Sequence, residues 1–163
     1  RDLNVKFFRE AVATLPERVR PEAEQAFYFA ASPFGMMGMM GGDESGGRTP
    51  RGLMDEAVAL GDLTDEQRAS LGDAVFAQAK EAAAKYREVF DKLVEAEKEH
   101  PNAMERMQSM GELNVYGVEQ EVREQGDKAV ESMLAVLTVE QRERLPRPYR
   151  PPGSVSRPRF EEE

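Results

Sequence analysis

The residues with the clearest chemical potential in this 163-residue chain are its single histidine and its methionines. His100 ends the run Glu97-Lys98-Glu99-His100, and Glu-x-x-His is the half-site spacing of di-iron carboxylate bundles. A complete site of that kind needs a second such motif and carboxylates from facing helices. One histidine per chain does not supply it, so a solvated end of a charged helix is the favoured interpretation of His100.

Methionine thioethers are the second candidate ligands, because soft sulfur binds Cu(I). Met104, Met107 and Met110 follow His100 at three-residue spacing, and four more methionines lie between positions 36 and 40. Methionine is also a pliable filler of helical cores. We therefore predict no bound cofactor, and we keep His100, Met104 and Met107 as candidate ligands for a copper-binding alternative.

Residue sets that carry catalysis are not recognisable in the sequence. The chain has no cysteine, which excludes thiolate nucleophiles, disulfide frameworks and zinc-finger spacings. The glycine pairs at 41–42 and 46–47 do not join a strand to a helix, as a phosphate loop would require, and no Ser/His/acid set is present. We therefore predict that the protein is not an enzyme.

The elements that position these residues are predicted to be helices. The chain is rich in Ala, Glu and Lys, lacks Trp, and 33% of its residues are charged, which favours helices with large wetted faces over a thick core. The predicted fold is all-α: an elongated antiparallel hairpin of two long helices with short flanking helices. The longer helix runs from Thr64 to Glu99 and stops before Pro101.

A narrow apolar seam follows this long helix at near-heptad spacing. Its members are Leu71, Val75, Ala79, Ala82, Tyr86, Phe90 and Leu93. An exposed apolar seam on a long helix needs a partner, so we expect the seam to mediate self-association. A shorter helix near the N-terminus is predicted to present one apolar face, made of Leu3, Phe7, Ala11 and Leu15 with Phe8 and Val12 beside them.

Composition divides the chain into four segments. They are an N-terminal helical arm at 1–31, a Gly/Met-rich loop at 32–52, a long-helix hairpin domain at 53–145 and an extended Pro/Arg tail at 146–163. Five Pro and four Arg in the tail favour polyproline II geometry over burial in a core. We predict that the tail binds a partner, through Arg147, Tyr149, Arg150, Arg157 and Arg159.

Two classes of partner are excluded by charge and hydropathy. Residues 52–145 carry eleven Lys/Arg and twenty-one Asp/Glu, and such an acidic body repels nucleic acid. A stretch of seventeen residues without a charge, at 26–42, contains a Pro and four Gly and is shorter than the roughly 20 apolar residues of a transmembrane helix. We therefore predict protein partners, no nucleic acid and no transmembrane span.

A nine-residue motif occurs twice in the chain, with six of its nine positions identical. The copies read LTDEQRASL at 63–71 and LTVEQRERL at 137–145. In each copy, the threonine can accept a hydrogen bond from the third helical amide, and the glutamine can reach back to the threonine amide. The repeat therefore predicts two capped helix starts, with motif residues Leu63, Thr64, Gln67, Leu137, Thr138 and Gln141.

The repeated L-T-x-x-Q resembles the motif of the LTxxQ family, the periplasmic helical proteins of the Spy and CpxP type and their heavy-metal-sensing relatives. The similarity covers residues 63–145. It implies a non-enzymatic, exported helical protein that binds other proteins in envelope stress. The sequence begins at Arg1 and not at Met, so removal of a signal peptide is the accompanying expectation.

Three functions remain open from the sequence. The first is the Spy/CpxP-like binding protein, expected to form a homodimer. The second is a structural accessory subunit of a larger assembly, held by its Gly/Met loop and its C-terminal arm, because extended segments cover large partner surfaces. The third is a copper sensor or copper binder.

Overall fold

The computed structural model describes residues 2–32, 48–99, 102 and 114–146. Within these ranges the chain forms six α-helices and no β-strand, which confirms the all-α prediction. The helices are α1 Asp2–Ala13, α2 Arg20–Ala31, α3 Pro50–Ala59, α4 Asp65–Glu99, α5 Val115–Val136 and α6 Val139–Arg144. None of these described helices has the length and apolar content that crossing a membrane requires.

Helix α4 is the long helix that the sequence predicted. It has 35 residues, and its first turn carries Asp65 and Glu66 while its last turn carries Lys98. Acidic residues at the start and a basic residue at the end both suit the helix dipole. Its predicted stop at Pro101 lies outside the described residues.

The apolar seam of α4 is covered by other helices of the same chain. All seven predicted seam residues are buried, and none is more than 6% exposed. Helices α2 and α5 provide most of this cover, and α3 adds to it. The seam is therefore not free to pair with a second copy, and the expectation of self-association through it is wrong.

Helices α2 and α5 pack against α4 in opposite directions. Lys85 of α4 pairs with Glu121 of α5, and Leu71 near the start of α4 packs with Met133 near the end of α5, so these two helices are antiparallel. Helix α2 runs parallel to α4. Arg18, just before α2, pairs with Asp73 at 2.8 Å, whereas the end of α2 reaches the second half of α4.

Two hydrophobic clusters form the core, one at each half of α4. The leucine cluster joins α3, α4 and α5 to the residues that flank α6, and it consists of Leu53, Ala57, Leu63, Leu71, Val75, Met133, Leu137 and Leu145. The aromatic cluster joins α2, α4 and α5 and consists of Tyr28, Ala82, Tyr86, Val89, Phe90, Leu93 and Val122. Tyr28 of α2 is only 1% exposed, so α2 is part of the core and not a free arm.

Local capping explains where the shorter helices begin and end. Arg20 closes α1 by donating to the carbonyls of Leu15 and Ala13, at 2.8 Å and 3.1 Å. Helix α3 begins at Pro50, inside the segment assigned to a loop, because the Thr49 hydroxyl accepts from the Gly52 amide at 3.0 Å. Between α3 and α4, Gly61 has φ +81°, a backbone conformation that favours glycine.

Candidate functional site

The structure brings the two copies of the repeat into direct contact. The Gln67 amide nitrogen donates to Gln141 Oε1 at 2.9 Å, and the Gln141 amide nitrogen lies 3.3 Å from Gln67 Oε1. Each copy also forms a capping box. The backbone amides of Gln67 and Gln141 donate to the hydroxyls of Thr64 and Thr138, respectively. The backbone amides of the two threonines donate back to the side-chain Oε1 atoms of the same glutamines. We call these four residues the glutamine clasp.

The clasp has approximate twofold symmetry. Gln67 Nε2 donates to the carbonyl of Val136 at 3.0 Å, and Gln141 Nε2 donates to the carbonyl of Asp62 at 3.3 Å. Val136 and Asp62 each lie two residues before the threonine of the opposite copy. The geometry explains why glutamine occupies this position: a glutamate could cap its own helix but, when ionised, could not donate across to the other.

The leucines of the repeat complete this unit. Leu63, Leu71, Leu137 and Leu145 begin and end the two copies, and all four are buried in the leucine cluster. The polar first turns of α4 and α6 therefore meet directly above a shared apolar layer. The repeat specifies how the start of α4 and the end of the described chain are joined.

An exposed ion pair flanks the clasp. Arg144 donates to Asp62 Oδ2 at 2.6 Å and to the carbonyl of Leu60 at 3.0 Å. The hydrogen bond from Arg144 is the main reason that the pKa of Asp62 is lowered. The pKa of Glu140 is also lowered, first by its own backbone amide at the start of α6 and then by the Thr138 hydroxyl. The clasp and the ion pair that flanks it thus consist of amides, hydroxyls and paired charges, which act as structural groups.

A groove at the other half of α4 is the candidate binding surface. It lies between α1 and α4 and has a volume of about 670 Å³. We call it the α1/α4 groove, and it is lined by Val5, Lys6, Arg9, Glu10, Ala13, Phe90, Asp91, Val94, Glu95 and Lys98. Val5, Phe90 and Val94 belong to or pack against the aromatic cluster, so an apolar core surface forms part of its lining. Three cations and three anions make up its charged residues.

The aromatic cluster holds α1 beside this groove. The ring of Phe8 stacks on Phe27 with centroids 3.7 Å apart, and it meets Tyr28 edge-on at 6.1 Å. Val12 is buried on the same side of α1. Arg9 adds a salt bridge to Asp91 at 3.8 Å, which links α1 to α4. Helix α1 is therefore a wall of the groove that is fixed mainly by Phe8.

A shallower depression continues the groove along α4. It has a volume of about 410 Å³ and lies between α2 and α4. Its lining residues are Glu24, Lys80, Ala83, Ala84, Arg87, Glu88 and Asp91, the last of which is shared with the α1/α4 groove. From Lys80 to Lys98 the two depressions follow α4 for roughly 27 Å, at 1.5 Å per residue.

The predicted apolar face of α1 is correct for Phe8 and Val12 and wrong for Phe7 and Ala11. The sequence grouped Phe7 with Leu3, Ala11 and Leu15, but Phe7 is 75% exposed and Ala11 is also exposed. Phe8 and Val12 face the core, because the aromatic residues of α2 provide the larger apolar surface. The aromatic residues of α2 are the one signal in the sequence that indicated this arrangement.

Most of the other candidate residues lie outside the described part of the chain. These are His100, Met104, Met107, the methionines at 36–40, and the tail residues Arg147, Tyr149, Arg150, Arg157 and Arg159. Among the residues that the structure describes, no group of three or more His, Asp or Glu is arranged to hold a metal ion. The α1/α4 groove was not predicted, since its residues come from helices 80 positions apart in the sequence.

Comparison of the chain with protein-family models found no match, and comparisons with curated proteins and with solved structures found none either.

Proposed function

We propose that this protein is a non-enzymatic, exported helical protein that binds other polypeptides, as its resemblance to the Spy and CpxP type implies. The observation that supports this function best is the α1/α4 groove. It combines apolar residues with charges of both signs and continues into a second depression along α4. We call a polypeptide that binds there a client.

A long groove of this kind suits an amphipathic segment better than a small molecule. Small-molecule sites are concave pockets that bury most of the ligand. A helix laid in a groove instead places apolar residues at i, i+3, i+4 and i+7 against the floor, while its charged residues meet the rim. Phe90 and Val94, four positions apart on α4, supply apolar groups at a matching spacing.

The chemistry of the groove supports binding over catalysis. Its described lining includes no Ser, Thr, Cys or His, so it offers no hydroxyl, thiol or imidazole nucleophile. The nearby Tyr86 is buried, and burial together with the negative charge of Glu119 raises the pKa of Tyr86 to about 12. That phenol stays protonated at neutral pH, so it is not available there as a base.

The test places a charge in the groove and compares it with the same change elsewhere. Val94→Glu should weaken binding of a fluorescent amphipathic apolar peptide at least ~10-fold, because a carboxylate then faces the client's apolar side. Val139→Glu is the matched control, since Val139 is 56% exposed at the start of α6. Its peptide affinity should equal that of the unmodified protein. The measurement is fluorescence anisotropy, with thermal unfolding to check the fold.

A second groove variant provides the same test if Val94→Glu does not fold. Ala13 is exposed and lines the groove, so Ala13→Glu should fold normally and weaken the peptide in the same way. The unmodified protein should also suppress aggregation of a denatured client diluted into buffer. Failure to bind the peptide and to suppress aggregation would reject the function. If both groove variants bind the peptide as tightly as the unmodified protein, the groove is not the peptide site.

Export is a separate part of the proposal and rests on the resemblance. Fractionation of cells that make the complete gene product should place the protein outside the cytoplasm. Recovery only in the cytoplasmic fraction would contradict this part and would leave polypeptide binding to be judged by the peptide assay.

One observation favours the accessory-subunit alternative. Arg48 pairs with Glu56 at 2.8 Å and donates to the carbonyl of Pro146. These contacts hold together residues 48 and 146, which border the Gly/Met segment and the tail, so both proposed arms join the helical body at one place. Deleting 147–163 should then abolish co-purification with the larger assembly. Unchanged co-purification would show that the tail is not a tether.

A further inference from the structure

We infer that the client held in the α1/α4 groove carries an acidic side chain, and that its carboxylate binds between Arg9 of α1 and Arg87 of α4. The inference rests on the proposed function, because it takes the groove and the adjoining depression as the client site. It adds the chemical class of the client, which is an amphipathic segment with a glutamate or aspartate beside its apolar residues.

The two arginines lie where the groove meets the shallower depression. Arg9 lines the groove, Arg87 lines the depression, and Asp91 lines both. Arg9 Nη2 lies 3.8 Å from Asp91 Oδ1, and Arg87 Nε lies 3.7 Å from Asp91 Oδ2. Two guanidinium groups therefore face one carboxylate, which balances only one of their two positive charges. A client that follows α4 from one depression into the other passes this point.

The donors of these two guanidinium groups are left unused within the described part of the chain. Both distances to Asp91 are longer than a hydrogen bond, and neither arginine bonds another described acceptor. By contrast, Arg20 donates to two carbonyls, and Arg144 donates to a carboxylate and a carbonyl. The side chains of Arg9 and Arg87 are 50% and 51% exposed, so a client can reach them. A guanidinium fork matches the two oxygens of a carboxylate.

The other carboxylates of the two depressions do not supply this partner. Glu10 and Glu95 line the groove, but among the described residues they form no ion pair with either arginine. Glu88 lines the depression, but it already accepts a hydrogen bond from Lys92 at 2.7 Å. The unbalanced positive charge therefore stays with the two arginines, and an incoming carboxylate is the group that complements it.

The apolar residues beside the arginines indicate the rest of the client. Arg87, Phe90 and Val94 follow one another along one face of α4 at three- and four-residue spacing. A client helix that lies along this face can place a carboxylate at Arg87 and apolar side chains at Phe90 and Val94. It does so if its own acidic and apolar residues have the same spacing. This pattern defines the peptide for the test.

The first experiment compares two fluorescent helical peptides of this pattern, which differ only in carrying Glu or Gln at the acidic position. By fluorescence anisotropy at low salt, the unmodified full chain should bind the Glu peptide at least ~5-fold more tightly. Added salt should reduce this ratio, because both arginines are half exposed. Equal affinity for both peptides would overturn the inference and leave the proposed function standing. Binding of neither peptide would reject the proposed function and the inference together.

Arginine variants then test where the carboxylate binds. Arg9→Gln and Arg87→Gln should each lower the Glu/Gln affinity ratio, and the double variant should abolish it. The matched control is Arg68→Gln, because Arg68 is exposed on the first half of α4 and lines neither depression. Its ratio should equal that of the unmodified protein. The ratio cancels a general loss of affinity, and thermal unfolding checks the fold. A double variant that keeps the full preference would overturn the inference.

Asp91→Asn should change the same ratio in the opposite direction. It removes the carboxylate that competes for both guanidinium groups, so the preference for the Glu peptide should rise above that of the unmodified protein. A merely structural role of this charge cluster would not produce such an increase. A preference that falls in Asp91→Asn would overturn the assigned place of the client carboxylate.

Discussion

The two halves of α4 use their polar and apolar groups in opposite ways. At its first half, the glutamine clasp pairs side-chain amides and hydroxyls with one another, and the leucine cluster lies beneath them. At its second half, charged side chains line an open groove, and Phe7 of α1 is left exposed to solvent. One half satisfies its groups internally, whereas the other leaves them available to a partner.

This difference separates fold from function along one helix. The repeated motif joins α4 to α6. Its threonines cap the two helices, each glutamine donates to a carbonyl beside the other copy, and its leucines are buried. A motif whose groups are all paired has little capacity left for a ligand. The residues beyond the repeat, on α1 and the second half of α4, therefore carry the proposed binding. Substitutions at the clasp should change stability, and substitutions at the groove should change binding.

The largest expected effect on stability comes from breaking the clasp. Gln141 is buried, and Gln141→Ala removes its hydrogen bonds to Gln67 and to the Asp62 carbonyl. It also leaves the Thr138 backbone amide without its acceptor. We expect the free energy of unfolding to fall by about 3 kcal/mol. The control is Gln120→Ala, an exposed residue that bonds Glu124 at 3.2 Å and should cost less than about 0.5 kcal/mol.

A double-mutant cycle sharpens this prediction. If Gln67 and Gln141 act as one unit, the double alanine variant should be more stable than the two single losses predict, by about 1 kcal/mol. Urea unfolding of the four proteins gives the coupling directly. Strict additivity would mean that each glutamine is only a local cap, and the comparison between the two halves of α4 would lose its basis.

The next largest effect should come from the residue that fixes α1 at the groove. Phe8→Ala removes the stack on Phe27 and the edge contact with Tyr28, and we expect a loss of about 2 kcal/mol. Hydrogen exchange should show faster exchange in α1 and little change at the clasp. Tyr116→Ala should alter neither measurement, because that side chain is exposed. Equal loss of protection at both halves would show that they unfold as one unit.

Local patterns in the sequence predicted the helices well. The start of α4 was predicted to within one residue, because the predicted helix begins at Thr64 and the observed one at Asp65. The signals were the capping threonine, the acidic first turn and the run without Gly or Pro after Asp73. Pro21 lies in the first turn of α2, where its missing amide hydrogen is not needed. These features depend on neighbours within about four positions, so no knowledge of tertiary contacts is required.

Tertiary contacts were harder to predict, because they depend on which faces compete for burial. The sequence alone predicted that the seam of α4 would be exposed. In the structure α2 covers part of it, with Tyr28 and Phe27 against Phe90. The meeting of Gln67 and Gln141 across 74 positions could not be derived from capping alone, since each box is complete in itself. Choosing Phe8 over Phe7 as the buried residue likewise depended on the facing aromatics of α2.

The smallest expected effect concerns the ion pair beside the clasp and appears only in acid. Because Arg144 lowers the pKa of Asp62 in the folded protein, the ionised carboxylate contributes stability above its unfolded pKa. That contribution is lost as the pH falls through the lowered pKa, below pH about 4. The stability advantage of the unmodified protein over Asp62→Asn should therefore shrink as the pH falls below about 4. The matched background is Arg144→Gln, in which Asp62→Asn should produce a much smaller pH-dependent difference. A pH dependence that survives in this background would mean that the Asp62 backbone amide and the Gln141 side-chain amide, and not Arg144, lower the pKa of Asp62. Added salt should weaken the effect, as for any exposed pair, whereas the loss caused by Gln141→Ala should not respond to salt.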